Sequence, residues 1–283
     1  MASMRRITQL SDIKMSYTDT GGTQPLVVLL HGWPQTSQCW ARVIPDLAQH
    51  YRVVAPDLRG YGLTDKPRGG FDKKSMAQDI RELVNHLGYS SVRIVGHDRG
   101  ARVAHRFALD HGEVLTHLTV LDIAPTLHMF RHGSMDTAHG YWHWLFHMKD
   151  DLPELLVGPH IDAYLRFFFE RWTLQRGALE PVIGDYVEAF SQPGALRSGF
   201  DDYRATDIDL VHDAGDFDAG RTVDLPVQVL WGAQGLVGGK DVVEFWKPFA
   251  PNAFGEPISD CGHFIPEEQP EILLDKLKHH LAA

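Results

Sequence analysis

The chain has 283 residues, of which 43% are hydrophobic and 23% are charged, and its net charge is −10. These proportions are typical of a compact soluble protein and exclude a disordered, collagen-like or coiled-coil chain. The negative balance gives no overall positive field for a phosphate backbone, so we expect no nucleic acid partner. Cys39 and Cys261 form no CxxC or metal-binding pattern, and no segment approaches the ~20 apolar residues of a membrane span. We therefore expect a reducing cytoplasm and no association with a membrane.

Short apolar runs alternate with segments of helical spacing along most of the chain. Predicted strands cover residues 5–10, 14–18, 26–30, 51–55, 92–96, 118–123, 227–231 and 256–259, and predicted helices cover residues 40–48, 75–87, 101–110, 240–249 and 270–281. The apolar strands are of the kind that a parallel sheet buries on both faces. This alternation predicts an open α/β sheet with helices on both sides.

Residues 128–212 interrupt the alternation. They contain no β-run, and their aromatic residues cluster at 141–148 and 164–172. A segment of ~85 residues is too long for an ordinary connection. We interpret it as a helical cap inserted between two parts of the sheet domain, residues 1–127 and 213–283, with an acidic, glycine-containing return loop at 213–221.

The clearest catalytic motif runs from Gly96 to Gly100 and follows the predicted strand 92–96. Small residues on either side of Asp98 allow a sharp strand-to-helix turn that exposes this side chain at the carboxyl edge of the sheet. The alternative is that Asp98 only caps the following helix. The motif resembles the GxSxG nucleophile elbow of the α/β-hydrolase superfamily, in the branch with an aspartate nucleophile that includes haloalkane dehalogenases, epoxide hydrolases and fluoroacetate dehalogenases.

That resemblance implies the α/β-hydrolase fold, with a mostly parallel eight-stranded sheet flanked by helices and an inserted cap. It also implies a catalytic histidine at His263 and an oxyanion hole formed by the backbone amides of Trp33 and Arg99. The acid that orients the histidine has two locations in the superfamily. Gly235 occupies one of them, so we assign this role to Asp122 after the strand 118–123.

An aspartate nucleophile suits attack on an sp³ carbon that bears a leaving group. The attack produces an ester with Asp98, which water activated by His263 can then hydrolyse. Arg99 and Arg102 lie on the first turn of the helix after Asp98 and could bind a substrate carboxylate. The alternative is that each arginine pairs with a local acid or lies in solvent.

Six motifs together resemble the fluoroacetate dehalogenases over nearly the whole chain: HGWPQT (31–36), PDLRGYG (56–62), GHDRGAR (96–102), VLDIAP (120–125), YWHW (141–144) and DYRA (202–205). The resemblance implies that Arg99 and Arg102 bind the carboxylate. It also implies that His143, Trp144 and Tyr203 donate hydrogen bonds to the halide. Without it, the segment 141–148 would be interpreted as an aromatic helix that packs on the sheet domain.

Two further site predictions concern the cap. Trp172 is a candidate for lining the pocket or for ordinary core packing. His139, His143 and His147 recur at helical spacing, but no acid with familiar metal-ligand spacing joins them, so we expect neither a metal nor another cofactor. The resemblance further implies a homodimer as one assembly state, for which the sequence identifies no interface.

The predicted function is hydrolytic dehalogenation of a short, anionic 2-haloacid, above all fluoroacetate or haloacetate, to glycolate and halide. The main alternative is an epoxide hydrolase, whose cap tyrosine pair could come from Tyr141, Tyr164, Tyr186 and Tyr203. A haloalkane dehalogenase is disfavoured because that family places a tryptophan where Arg99 stands. A non-catalytic receptor for a small ligand is the alternative from another class, although the sequence retains all three catalytic residues.

Overall fold

The computed structural model describes residues 3–282. Eight strands form one sheet. They are β1 (Met4–Gln9), β2 (Lys14–Asp19), β3 (Leu26–Leu30), β4 (Arg52–Pro56), β5 (Val92–His97), β6 (Leu115–Leu121), β7 (Val227–Gly232) and β8 (Phe254–Ile258). Every predicted strand is present, with ends that differ by a few residues.

Fifteen α-helices lie within the described residues. They are α1 (Ile44–Leu47), α2 (Lys73–His86), α3 (Arg99–Asp110), α4 (Thr126–Arg131), α5 (Met135–Gly140), α6 (Trp142–His147), α7 (Leu152–Val157), α8 (Ile161–Trp172), α9 (Arg176–Leu179), α10 (Ile183–Ser191), α11 (Ala195–Arg204), α12 (Thr206–Asp218), α13 (Val242–Trp246), α14 (Ile265–Glu268) and α15 (Pro270–Leu281). Short 3₁₀ helices cover Ser37–Trp40, Gly112–Val114 and Gly158–His160. The predicted helix 40–48 is therefore a 3₁₀ turn followed by the short α1.

The strand order across the sheet is β1-β2-β4-β3-β5-β6-β7-β8. β1 pairs with β2, and β2 with β4, in antiparallel fashion, whereas the remaining pairs are parallel. All residues of β3 and β7 are buried, as expected for strands covered by helices on both faces. The predicted α/β-hydrolase fold, with its mostly parallel eight-stranded sheet, is confirmed.

The segment between β6 and β7 is entirely helical and loop. Its helices extend from Thr126 to Asp218, slightly beyond the predicted cap limits of 128 and 212. The predicted return loop at 213–221 is wrong over most of its length, because α12 continues through Gly215 to Asp218. Acidic residues in its first turn, Asp207 and Asp209, favour this helix through the helix dipole.

The parallel strands bring the expected catalytic segments to one edge of the sheet. Trp33 follows β3, Asp98 follows β5, Asp122 follows β6 and His263 follows β8. Because the carboxyl ends of parallel strands meet at the same edge, residues distant in sequence become neighbours. Among residues 3–282, no helix is both long and apolar enough to cross a membrane.

Candidate active site

Asp98 occupies a sharp turn between β5 and α3. Its φ of +47° and ψ of −117° are unusual for a residue with a side chain. A Cβ at Gly96 would lie 2.6 Å from the Ala101 Cα, and a Cβ at Gly100 would lie 2.4 Å from the His31 carbonyl oxygen. Only glycines fit on both sides of this turn, which is the physical basis of the elbow motif.

The Asp98 carboxylate does not cap α3, so the helix-cap interpretation lacks its hydrogen bond in the structure described. Instead, Oδ2 of Asp98 accepts a hydrogen bond from the Trp33 backbone N–H at 2.9 Å. Arg99 is the first residue of α3, where backbone N–H groups have no intrahelical partner. The Trp33 amide therefore reaches the carboxylate directly, and the contribution of the Arg99 amide remains a prediction.

His263 and Asp122 form a buried hydrogen-bonded pair. The Nδ1 of His263 lies 2.5 Å from Oδ2 of Asp122, and Oδ1 of Asp122 accepts from the Gly232 N–H at 3.0 Å. A Cβ at Gly235 would come within 2.6 Å of the Asp122 carboxylate. The absence of a side chain at Gly235 therefore leaves room for the Asp122 carboxylate beside His263.

The second ring nitrogen of His263, Nε2, is buried and has no hydrogen-bond partner within residues 3–282. Burial alone would lower the pKa of His263, but the hydrogen bond and charge of Asp122, followed by the charge of Asp98, raise it. Burial would raise the pKa of Asp98, whereas His263 and the guanidiniums of Arg102 and Arg99 hold it low. Asp98 is thus an ionised carboxylate, as its predicted role of nucleophile requires, and it lies near a histidine whose Nε2 has no hydrogen-bond partner in the described chain.

His97 contacts His263, and this contact was not predicted from the sequence. Its Nε2–H donates to the His263 carbonyl oxygen at 2.9 Å, and the two rings are 4.6 Å apart between centroids. Burial, together with the charge of His263, lowers the pKa of His97 to about 3. His97 is therefore neutral at physiological pH and acts as a fixed donor.

Arg99 has a carboxylate partner on the cap, Asp202. Nη2 of Arg99 donates to both Oδ1 and the backbone oxygen of Asp202 at 2.7 Å. Lys73 Nζ donates to the same Oδ1 at 2.5 Å. Burial would raise the pKa of Asp202, but the charges of Arg99 and Lys73 hold it well below its usual range. The alternative of a local ion pair is thus realised for Arg99, although its Nη1 is buried without a partner in the described chain.

Arg102 differs from Arg99 in having no carboxylate partner among the described residues. Its Nη1 donates to the Ala124 carbonyl at 3.1 Å and to Thr126 Oγ1 at 2.9 Å, and its buried Nε has no acceptor there. The residue is 4% exposed. Burial and the neighbouring charge of Arg99 lower its pKa. Arg102 is therefore a buried cation near Asp98 that forms no salt bridge with a carboxylate among the described residues.

Trp144 does not present its N–H as expected. The indole Nε1 donates to Thr206 Oγ1 at 2.8 Å, so this donor is occupied. The ring instead lies over two guanidiniums, 4.4 Å from Cζ of Arg102 and 5.0 Å from that of Arg99. Trp144 thus contributes cation–π contacts that hold both arginines, which differs from the predicted role as a halide donor.

His143 and Tyr203 remain available as neutral donors. Burial lowers the pKa of His143 to about 3 and raises the pKa of Tyr203 well above its usual range. The Tyr203 ring lies 5.9 Å from the His143 ring and covers the guanidinium of Arg99 at 4.4 Å. Trp172 bridges the cap and the core, with ring centroids 4.8 Å from His143 and 5.2 Å from His263. Trp172 therefore lies between His143 and His263, and its pocket-lining role stays a prediction.

The three histidines spaced four residues apart do not share one helix. His139 is exposed on α5, whereas His143 and His147 are buried on α6. His147 Nε2 hydrogen bonds with the Tyr164 hydroxyl at 2.7 Å. Within residues 3–282, no group of three or more His, Cys, Asp or Glu side chains has an arrangement that could hold a metal ion.

Comparisons with known proteins agree with this fold. The family model described as "alpha/beta hydrolase fold" matches residues 25–270. A soluble epoxide hydrolase from Corynebacterium sp. strain C12 is 38% identical, with 94% of this chain and 93% of the relative covered. A fluoroacetate dehalogenase from Burkholderia sp. is 37% identical, with 94% and 90% covered. A crystal structure described as "a putative alpha/beta hydrolase" from Nostoc sp. PCC 7120 superposes with a TM-score of 0.95 at 39% identity, covering 99% of this chain and 98% of that one.

The elbow, the catalytic edge and these matches together define the class of protein. The chain belongs to the α/β-hydrolase family. It is a hydrolase, and its relatives include a protein named fluoroacetate dehalogenase and one named soluble epoxide hydrolase.

Proposed function

We propose that the protein hydrolyses the carbon–halogen bond of a short 2-haloacid, with fluoroacetate or another haloacetate as substrate and glycolate and halide as products. Arg102 carries this proposal, because it is a buried cation beside Asp98 without a carboxylate of its own in the described chain. Burial of an unpaired charge is costly, and a substrate carboxylate would supply the missing partner. The similarity to the Burkholderia fluoroacetate dehalogenase also supports it.

The first step is displacement at the α-carbon of the substrate. Oδ2 of Asp98 is held by the Trp33 amide, so Oδ1 is the oxygen that attacks. A bond forms between Oδ1 and the α-carbon while the halide departs with the electron pair of the carbon–halogen bond. Binding of the carboxylate by Arg102 would align the α-carbon with Oδ1, which converts binding energy into orientation.

The halide leaves into a region lined by neutral donors from the cap. His143 and Tyr203 can each provide one N–H or O–H at physiological pH, because their pKa values are shifted in favour of the neutral forms. Fixed donors aimed at developing charge lower the barrier more than mobile water does. Trp144 takes no direct part in this step, because its N–H is bound to Thr206.

The second step is hydrolysis of the Asp98 ester. Nε2 of His263 removes a proton from water, and the hydroxide attacks Cγ of Asp98. The negative charge then develops on Oδ2, which the Trp33 amide already contacts. Collapse expels glycolate, whose leaving oxygen receives the proton from His263, and the water oxygen remains in the Asp98 carboxylate.

The deciding experiment measures halide release from fluoroacetate and chloroacetate by the purified protein, with Asp98→Asn as the control and styrene oxide as a parallel substrate. Halide from either acid that disappears in Asp98→Asn supports the proposal. Diol formation from the epoxide without any halide release contradicts it and supports the second candidate.

An epoxide hydrolase is the second candidate because two cap phenols lie near the nucleophile. Burial raises the pKa of Tyr141 and of Tyr203, and the charge of Asp98 adds to the shift for both. Two protonated phenols could donate to the oxygen of an epoxide as Asp98 opens the ring. The similarity to the Corynebacterium epoxide hydrolase supports this candidate. It predicts that Tyr141→Phe and Tyr203→Phe each lower diol formation by about 10-fold or more.

A further inference from the structure

The loop that carries His263 is held by three consecutive backbone amides. The N–H of Gly262 donates to Oε2 of Glu268 at 3.1 Å, and the N–H of Phe264 donates to Oε1 at 3.0 Å. Between them, the N–H of His263 itself donates to the carbonyl oxygen of Trp172 at 2.8 Å. The backbone on both sides of the catalytic histidine is therefore fixed by one carboxylate.

The same carboxylate also binds the cap. Oε2 of Glu268 accepts hydrogen bonds from the N–H groups of Leu174 at 2.7 Å and Gln175 at 2.9 Å, just beyond the end of α8. Glu268 is 6% exposed, so these four charge-assisted hydrogen bonds are largely shielded from water. A Cβ at Gly262 would lie only 2.3 Å from the Trp172 carbonyl oxygen, which shows how closely the two segments meet.

We propose that Glu268 is a positioning residue for hydrolysis of the covalent intermediate, because it fixes the His263 loop against the cap segment that carries Trp172. The inference rests on the two-step ester chemistry proposed above, and it holds whether the ester forms from a haloacid or from an epoxide. None of the groups that position Asp98, namely β5, α3 and the Trp33 amide, is bound by Glu268. Loss of Glu268 should therefore slow hydrolysis of the ester and leave its formation nearly unchanged.

The principal variant is Glu268→Gln, which keeps the size of the side chain but replaces one acceptor oxygen with an NH₂ group that cannot accept from these amides. Glu268→Ala is the second variant. Glu271→Gln is the matched control, because that carboxyl is 78% exposed on the adjoining helix and only pairs with Arg42 at the surface.

Rapid-quench mass spectrometry with chloroacetate, and separately with styrene oxide, measures the fraction of enzyme esterified at Asp98. We expect both Glu268 variants to form the ester within about 3-fold of the wild-type rate and to hydrolyse it at least ~10-fold more slowly, so that the adduct accumulates. The Glu271→Gln variant should behave as the wild type. Equal slowing of both steps would overturn the proposal, since a general structural defect has no preference for the second step.

A second readout does not need a substrate. The proton between His263 Nδ1 and Asp122 should give a low-field ¹H NMR resonance, because this hydrogen bond is short and buried. We expect Glu268→Gln to shift or broaden that resonance, and an unchanged resonance would overturn the proposal. If neither compound esterifies the wild type or His263→Asn, the proposed function fails, and the resonance alone decides the role of Glu268.

Discussion

The imidazole of His263 and the carboxylate of Asp122 are joined by a 2.5 Å hydrogen bond, although 141 residues separate them in sequence. The bond engages Nδ1 with the acid and leaves Nε2 buried without a hydrogen-bond partner among the described residues. In the proposed mechanism, His263 accordingly activates water and Asp98 attacks the substrate.

Replacement of His263 by asparagine should therefore stop the reaction after the first step. We expect His263→Asn to retain an ester on Asp98 after exposure to substrate, with turnover reduced by about 10²-fold or more. Mass spectrometry of the Asp98 peptide detects the adduct. Asp98→Asn should form none, and a His263→Asn enzyme free of adduct would contradict the covalent scheme.

Replacement of Arg102 by glutamine should affect acidic substrates selectively. Loss of a charge-assisted contact worth about 1.5–3 kcal/mol predicts a decrease of about 10- to 100-fold in kcat/KM for chloroacetate. Hydrolysis of a neutral epoxide should be unchanged. Arg106→Gln is the control, since Arg106 lies one turn further along α3 and already pairs with Asp110 and Asp216. Equal losses for chloroacetate and epoxide in Arg102→Gln would remove the case for an anionic substrate.

Trp144→Phe tests whether the indole N–H contacts the halide. Because this N–H donates to Thr206 and the ring covers Arg102, phenylalanine should preserve most of the function. We expect fluoride release within about 5-fold of the wild type, since a neutral hydrogen bond contributes about 1 kcal/mol. A loss of 100-fold or more that spares chloride release would show that the indole turns toward the leaving group.

The two steps should depend differently on pH. The pKa of His263 is raised above 6.5. The neutral form that accepts a proton from water, and with it ester hydrolysis, is therefore lost as the pH falls through this raised pKa. The pKa of Asp98 is held below 3.8, so ester formation persists to lower pH. We expect wild-type enzyme quenched at about pH 5 to contain more ester than enzyme quenched at about pH 8. Equal amounts of ester at both pH values would contradict these assignments.

Glu267 should make the protein less stable as the pH rises. Burial, only partly offset by hydrogen bonds from Tyr186 and Gln35, raises the pKa of this carboxyl from 4.5 to about 8. Between these values the unfolded chain releases a proton that the folded protein keeps, so the free energy of unfolding falls with increasing pH. Glu267→Gln should remove this slope and increase stability at about pH 8 by about 1 kcal/mol or more. Urea unfolding at several pH values measures the effect, with the exposed Glu271→Gln as control. An unchanged slope would show that Glu267 is ionised in the folded protein.

The sequence was sufficient to predict which residues meet at one edge of the sheet, because the segments that carry them follow predicted strands. Asp98, Asp122 and His263 each lie directly after or shortly beyond a strand end, and parallel strands present those ends together. The vacancy at Gly235 led to the choice of Asp122, which lies within hydrogen-bond distance of His263 in the structure, and a Cβ at position 235 would come within 2.6 Å of the Asp122 carboxylate.

Contacts of the cap with the core, and contacts between cap helices, could not be predicted in the same way. Asp202 binds Arg99, which lies 103 residues away in sequence. Thr206 accepts a hydrogen bond from the Trp144 N–H, 62 residues away. No local periodicity encodes such pairs, because they depend on how the cap helices pack on the sheet domain and on one another. Glu268, close to His263 in sequence, was also missed, since its partners on the cap become visible only in three dimensions.

The close contact between Gly235 and Asp122 also has an evolutionary consequence. An aspartate added at position 235 would place its Cβ 2.6 Å from Oδ1 of Asp122, so the Asp122 carboxylate would have to move from its present position. A descendant that moved the acid to the other strand would therefore disturb Asp122, which hydrogen bonds with His263. The acid is therefore difficult to relocate by single substitutions. An intermediate protein would have a disturbed contact between Asp122 and His263, unless both positions changed at once.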